Sequence, residues 1–147
     1  MQPIDACKVL QSHGVKPSQQ RIAIMQYLIM HRTHPTVEDV YQGLVGSLPT
    51  LSRTTVYNTL RMFSEHNAAQ MLTIDERHVC YDGDTHPHSH FFCRKCCKLF
   101  DMMDDDAPTV AKANLGRGFY VDEVQLYYKG LCPSCASAST LSDYAEA

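Results

Sequence analysis

The sequence predicts an α+β fold, with a helical first half closed by a short β-hairpin and a smaller α/β second half. Three observations lead there. Over the first 66 positions, apolar residues recur at three- and four-residue spacing between capping residues and Gly or Pro stops. From Gln70 onward, short strand-like runs alternate with turn-forming residues. Between the two regimes lies Asp82-Gly83-Asp84-Thr85-His86-Pro87-His88, a stretch of Gly, Asp and Pro that reads as a hinge. The predicted organisation is therefore a first domain over 1–82, a hinge over 83–88 and a second domain with a C-terminal tail over 89–147.

Each element follows from its residues. Ile4, Cys7, Val9 and Leu10 suggest a short first helix stopped near Gly14. Pro17-Ser18 opens a second helix with Ile22, Ile24, Met25, Leu28 and Ile29 on its apolar face. Thr36 is placed to cap a third, which carries Val37, Val40, Tyr41 and Leu44. Glu38 and Asp39 in its first turn suit the positive end of a helix. Ser52 caps a fourth, from Arg53 to near His66, with Val56, Leu60, Met62 and Phe63 inward. Strands are expected at Gln70–Ile74 and Arg77–Tyr81 around a turn at Asp75-Glu76. Four helices and then a hairpin is the order of a winged helix-turn-helix. Beyond the hinge the pattern gives strands near Ser89–Phe92 and Lys98–Met102, a helix near Pro108–Asn114 and a long strand over Gly118–Tyr128. After Cys135 comes a small, polar tail that could form a terminal helix.

The 147 residues suit one ordinary domain or two small ones, and 44% hydrophobic content argues against wholesale disorder. No apolar run approaches the roughly 18 residues of a membrane span. Met1–Asp5 lacks the regions of a signal peptide, so a cytoplasmic location is expected. The net charge of −3 is unevenly spread. Residues 1–72 hold six Lys/Arg against four Asp/Glu, whereas residues 73–147 hold seven against twelve. The front half could approach a polyanion while the back half attracts cations.

The fourth helix presents Arg53, Tyr57, Asn58 and Arg61 at helical spacing, residue types that bond phosphates and base edges. A solvated polar face explains the same pattern, and the position just before a hairpin is what favours DNA. Arg21 and Thr55 complete the candidate contact set.

Two metal-ligating groups differ in softness. Cys93/Cys96 and Cys132/Cys135 form two C-x-x-C pairs separated by residues 97–131, and together they could make a tetrahedral zinc cage. The competing reading is two redox-active or incidental pairs. Cys7 and Cys80 read as small buried hydrophobes. His88 and His90, alternating on an extended segment, face one side and could bind a divalent ion with Asp82 and Asp101. His34, just before the third helix, is the far candidate that would tie the two domains through one ion. The bland alternative is that these are ordinary surface groups in a chain with eight histidines.

These segments resemble the ferric uptake regulator (Fur) family over about residues 5–136. The features that carry the resemblance are Pro17-Ser18-Gln19-Gln20-Arg21, His34-Pro35-Thr36-Val37-Glu38-Asp39-Val40-Tyr41, Thr54-Thr55-Val56-Tyr57-Asn58-Thr59-Leu60, His88 through Cys96, and Cys132-Pro133-Ser134-Cys135. The resemblance implies a homodimeric, metal-dependent repressor of operator DNA, not an enzyme, with an N-terminal winged helix and a C-terminal α/β dimerisation domain. It also implies structural Zn2+ held by four cysteines.

Within the family the chain looks most like the peroxide-responsive branch, whose regulatory ligands fall on His34, Asp82, His88, His90 and Asp101. Aspartate rather than glutamate at 101 is associated with peroxide sensitivity. The implied regulatory metal is Fe2+ or Mn2+, the signal hydrogen peroxide, and the oxidised ligands His34 or His88. Cys97 departs from the pattern, standing where many relatives have glycine, and Glu123-Val124-Gln125 lacks the histidine that some members use for a further metal site. The alternatives are an iron- or zinc-responsive uptake repressor on the same scaffold, a metalloenzyme using the His/Asp site and, more remotely, a C-x-x-C thiol oxidoreductase.

Overall fold

In the first half of the chain, side-chain caps decide where helices start. A computed structural model of the chain describes residues 4–74, 79–103, 109–110 and 115–138. Asp5 accepts the amides of Cys7 and Lys8 at the start of α1 (Ala6–Ser12), and Gly14, in the left-handed region at φ +74°, turns the chain away from it. Ser18 accepts from the Arg21 amide to open α2 (Gln19–Met30). Thr36 and Asp39 exchange side-chain and backbone hydrogen bonds in a capping box that opens α3 (Val37–Leu44). Ser52 accepts from the Thr55 amide to open α4 (Arg53–Glu65).

The chain divides into two compact units, residues 1–85 and 86–147. In the first, α1 to α4 bury Leu10, Ile24, Met25, Leu28, Val40, Val56, Leu60 and Phe63 in one core. The hairpin strands β1 (Gln70–Leu72) and β2 (Cys80–Asp82) pair antiparallel, Met71 opposite Tyr81, and Tyr81 closes the core. Both strands are shorter than the apolar runs predict. A ladder ends where its cross-strand partners end, whatever the alternation beyond it. The predicted turn at Asp75-Glu76 falls outside the described residues.

The second unit has a three-stranded sheet in the order β4-β3-β5, with β3 at Ser89–Cys93, β4 at Leu99–Met102 and β5 at Tyr127–Gly130. The centre strand β3 is antiparallel to β4 and parallel to β5. The chain then turns into α5 (Pro133–Ala138), with Pro133 at the first helical position, where a missing amide costs nothing.

One expectation is revised. The long strand over Gly118–Tyr128 is reduced to Tyr127–Gly130, because β3 supplies a pairing partner for only that stretch among the described residues. Helix α5 starts at Pro133 and includes Cys135, and the tail from 139 onward, where a terminal helix was expected, lies outside the described residues. Most of the helix expected near Pro108–Asn114 lies outside the described residues. No helix among the described residues is long and apolar enough to cross a membrane. The fold is α+β, helices first and a small mixed sheet second.

Candidate metal centres and nucleic-acid interface

The register of the small sheet assembles the cysteines. Cys93 ends β3 and pairs with Gly130 on the parallel neighbour, so both C-x-x-C segments leave the same end of the sheet. The first bends through a tight turn in which the Cys97 amide donates to the Cys93 carbonyl at 2.9 Å, with Cys97 itself at φ +60°. The second enters α5, where the Ala136 amide donates to the Cys132 carbonyl at 2.8 Å. The sulfur atoms of Cys93, Cys96, Cys132 and Cys135 all lie within 4.8 Å of one another, and those of Cys96 and Cys132 are 3.9 Å apart. A tetrahedron with zinc–sulfur bonds of about 2.3 Å has edges of about 3.8 Å.

Electrostatics argue for a cation in this cage. Burial raises the Cys93 thiol, but amides of Cys132, Cys96 and Lys95 donating to its sulfur outweigh that and bring its pKa down to about 6. A bond with Cys132, then burial, then bonds with Cys93 and Cys96 push Cys135 up to about 12. Cys96 is raised as well: the Lys98 amide lowers it, but burial and the Cys93 and Cys132 thiols prevail. One thiolate is therefore favoured while the Cys96 and Cys135 thiols are held up, because four negative sulfurs need a positive ion among them. Four thiolate donors in this arrangement fit zinc. The buried side chains of the second unit, among the described residues, are Cys93, Cys132, His88, Ser89 and His90.

The five His/Asp candidates form one cluster within each unit. In the first, the Pro35 carbonyl accepts the Tyr81 amide at 2.9 Å and Thr36 bridges to Cys80, so His34 and Asp82 flank a short paired segment. His34 Nε2 lies 3.6 Å from Asp82 Oδ2, with both side chains buried, while Asp82 Oδ1 accepts the Asp84 amide at 2.9 Å. His34 sits at φ +56°, a left-handed conformation that costs a residue with a Cβ about 1–2 kcal/mol.

In the second unit, His90 stands opposite Asp101 across β3 and β4, and Asp101 Oδ1 lies 3.3 Å from His90 Nε2 and 3.2 Å from His88 Nε2. The His88 and His90 rings are tilted, with centroids 4.4 Å apart. His88 Nδ1 lies 2.6 Å from the His86 carbonyl, which can only accept, so Nδ1 carries a proton and Nε2 is left to face Asp101. An Nε2 lone pair and a carboxylate repel unless a proton or a cation lies between them. Imidazole and carboxylate donors suit Fe(II), Mn(II) or Zn(II).

Of the predicted DNA contacts, Arg21, Thr55 and Asn58 share one surface of the first unit. Lys16, Ser18, Gln20, Arg21, Thr55 and Asn58 line a polar cleft of about 570 Å³ between the start of α2 and the outer face of α4. Arg21 donates to the Lys16 carbonyl at 2.9 Å, and Tyr57 is half exposed beside Asn58. Lys16, Ser18 and Gln20 line this cleft but were not among the predicted contacts. A basic residue just ahead of a capped helix was the available signal. Two predicted contacts are already engaged: Arg61 pairs with Glu65 at 3.2 Å, and Arg53 with Glu38.

The sequence matches the ferric uptake regulator family over residues 12–129. It is 34% identical over 136 residues to the peroxide operon regulator of Bacillus subtilis, covering 90% of this chain and 92% of that protein. Among solved structures it is similar to the peroxide-sensing regulator PerR of Streptococcus pyogenes, with a TM-score of 0.50 and 30% identity, over 91% of this chain and 95% of that one. It shares its fold with the manganese-bound ferric uptake regulator of Pseudomonas aeruginosa, with a TM-score of 0.68 and 23% identity, over 89% and 99% of the two chains. By the extent of these matches, the chain belongs to the ferric uptake regulator family.

Proposed function

We propose that this chain is a cytoplasmic, homodimeric transcriptional repressor that binds operator DNA when metallated and senses hydrogen peroxide. The observation that carries the reading is the Asp101 carboxylate oxygen, 3.2 and 3.3 Å from the Nε2 atoms of His88 and His90. Residues 1–82 form the DNA-binding domain, 83–88 the hinge and 89–147 the dimerisation domain. Cys93, Cys96, Cys132 and Cys135 hold structural zinc. His34, Asp82, His88, His90 and Asp101 hold the regulatory ion.

Three imidazoles and two carboxylates balance the charge of a divalent ion and leave a coordination position for a small molecule. Fe(II) held there would activate hydrogen peroxide by one-electron transfer, whereas Mn(II) would support DNA binding without that reaction. The chain's part is to hold imidazole rings at the place where the oxidant forms. One peroxide oxygen would replace a ring C–H hydrogen of His34 or His88 and become a carbonyl, the other leaving as water, so that the ring would lose donor strength and the ligand set would fall apart. The DNA-binding half is then no longer tied to the rest, which is the differential a switch requires.

Arg21, Arg53, Thr55, Tyr57, Asn58 and Arg61 contact the duplex, with α4 in the major groove. An apolar sheet face supports pairing with a second copy: Phe91 and Phe100 rings lie 6.4 Å apart beside a shallow cleft lined by Met102 and Tyr128.

The test is to load anaerobic protein with Fe(II) or Mn(II), add a small excess of hydrogen peroxide, and follow DNA binding and peptide masses together. The expected result is sixteen mass units (about one oxygen) on the His34 or His88 peptide, with DNA release in the iron sample alone. Metal-dependent binding that survives peroxide, with no added oxygen, would instead identify an iron- or zinc-responsive uptake repressor. Absence of metal-dependent DNA binding would overturn the repressor reading.

A further inference from the structure

Arg53 opens α4 with a positive charge at the positive end of a helix, a placement the macrodipole disfavours. The structure answers with a cluster from the neighbouring helix. Arg53 Nε and its terminal NH2 donate to the two oxygens of Glu38 at 2.7 and 3.0 Å, a fork-on-fork pair. Gln42 donates to the same carboxylate at 2.9 Å, and the guanidinium lies 4.2 Å from the centre of the Tyr41 ring. Both charged side chains remain more than half exposed. The Arg53 and Gln42 bonds hold the Glu38 carboxyl down to about 2, so it is an anion at any working pH.

A carboxylate bound bidentately by an arginine presents the geometry and charge of a DNA phosphate. We propose that Glu38 is a built-in competitor for Arg53 that phosphate must displace, and so a residue that sets the strength and salt dependence of DNA binding. This rests on the DNA-binding reading above and adds a role on α3 that the reading does not contain.

Ion bookkeeping gives the signature. An unpaired arginine meeting a phosphate releases a condensed counterion, steepening the logarithmic salt dependence by about 0.9. When Glu38 is the group displaced, its negative charge stays beside the DNA, so the pair brings little net charge and releases few counterions. The exchange is then nearly silent in salt and weak in free energy. Glu38→Gln keeps the shape and the Gln42 partner but removes the charge.

The experiment compares four full-length, manganese-loaded proteins: wild type, Glu38→Gln, Arg53→Gln and the double variant. The probe is a duplex enriched from random DNA by the wild type, titrated between about 50 and about 200 mM salt. Glu38→Gln is expected to tighten binding about fivefold at the middle of that range and to steepen the salt slope by about 0.9. In the Arg53→Gln background the same change should alter affinity less than about twofold. Equal tightening in both backgrounds would show that Glu38 merely repels DNA, which overturns the proposal. Weaker binding by Glu38→Gln would show that the pair is a scaffold for α4, which also overturns it. A wild type that enriches no duplex defeats the DNA-binding reading itself, and the proposal with it; that result differs from both of the others.

Discussion

Cys93 and Gly130 face each other across the parallel ladder of β3 and β5, two residues ahead of Cys132. The ladder therefore sets the spacing of the cage, and the cage in turn holds a sheet with few buried side chains of its own. Cys132→Ser is expected to abolish zinc binding and to destabilise the second unit by several kcal/mol. Metal analysis with far-ultraviolet circular dichroism checks this. A chelator strong enough to strip zinc should reproduce the effect on the unaltered chain.

The zinc-free protein should titrate unevenly. Donated amides hold the Cys93 thiol near 6, below its ordinary value of 9.0. A depressed pKa contributes stability that is fully present above the ordinary value and is lost as pH falls through about 6. Thiolate absorbance should therefore show one low step between about pH 5 and about pH 7, which Cys93→Ser removes. Cys135, pushed up to about 12, should give no step below pH 10.

Cys97 holds φ +60°, where a Cβ is crowded and glycine is not. Cys97→Gly is expected to stabilise the turn by about 0.5–1 kcal/mol, the relief of the left-handed strain less the entropy of glycine. Zinc stoichiometry should be unchanged, because Cys97 is not one of the four clustered sulfurs. A chemical denaturation curve of the zinc-loaded protein measures the difference.

Thr36 caps α3 and bridges to Cys80, so one residue serves both the helix and the segment beside His34. Thr36→Ala should cost about 1 kcal/mol through the lost cap. Its further effect should be weaker manganese binding, because His34 loses a fixed neighbour. Isothermal titration of metal beside a urea curve separates the two consequences.

Local chemistry made most of the first unit legible. Ser18, Thr36 and Ser52 each cap the helix their position predicts, because a cap is decided by residues three apart. The cysteine cage was legible from two identical spacings, and the fold brings those four sulfurs together. What the sequence concealed depends on partners far along the chain. Nothing around Arg53 indicates that Glu38, fifteen positions earlier, occupies its guanidinium. The run from Gly118 to Leu126 has an extended pattern but acquires no ladder among the described residues, since a strand is defined by its neighbour as much as by its own side chains. That Lys16 lines the cleft could not be read from the sequence, because it depends on the nearness of α4 to the start of α2.

The cage also has a topological meaning. Zinc bound by both C-x-x-C pairs turns the chain from Cys93 to Cys135 into a closed ring, with residues 97–131 as its circumference. A protease cutting anywhere in that circumference would leave two fragments riveted to one ion, migrating as an intact protein until the metal is withdrawn. During synthesis the ring cannot close until Cys135 has left the ribosome, so the sheet must wait for its rivet until both C-x-x-C pairs have emerged.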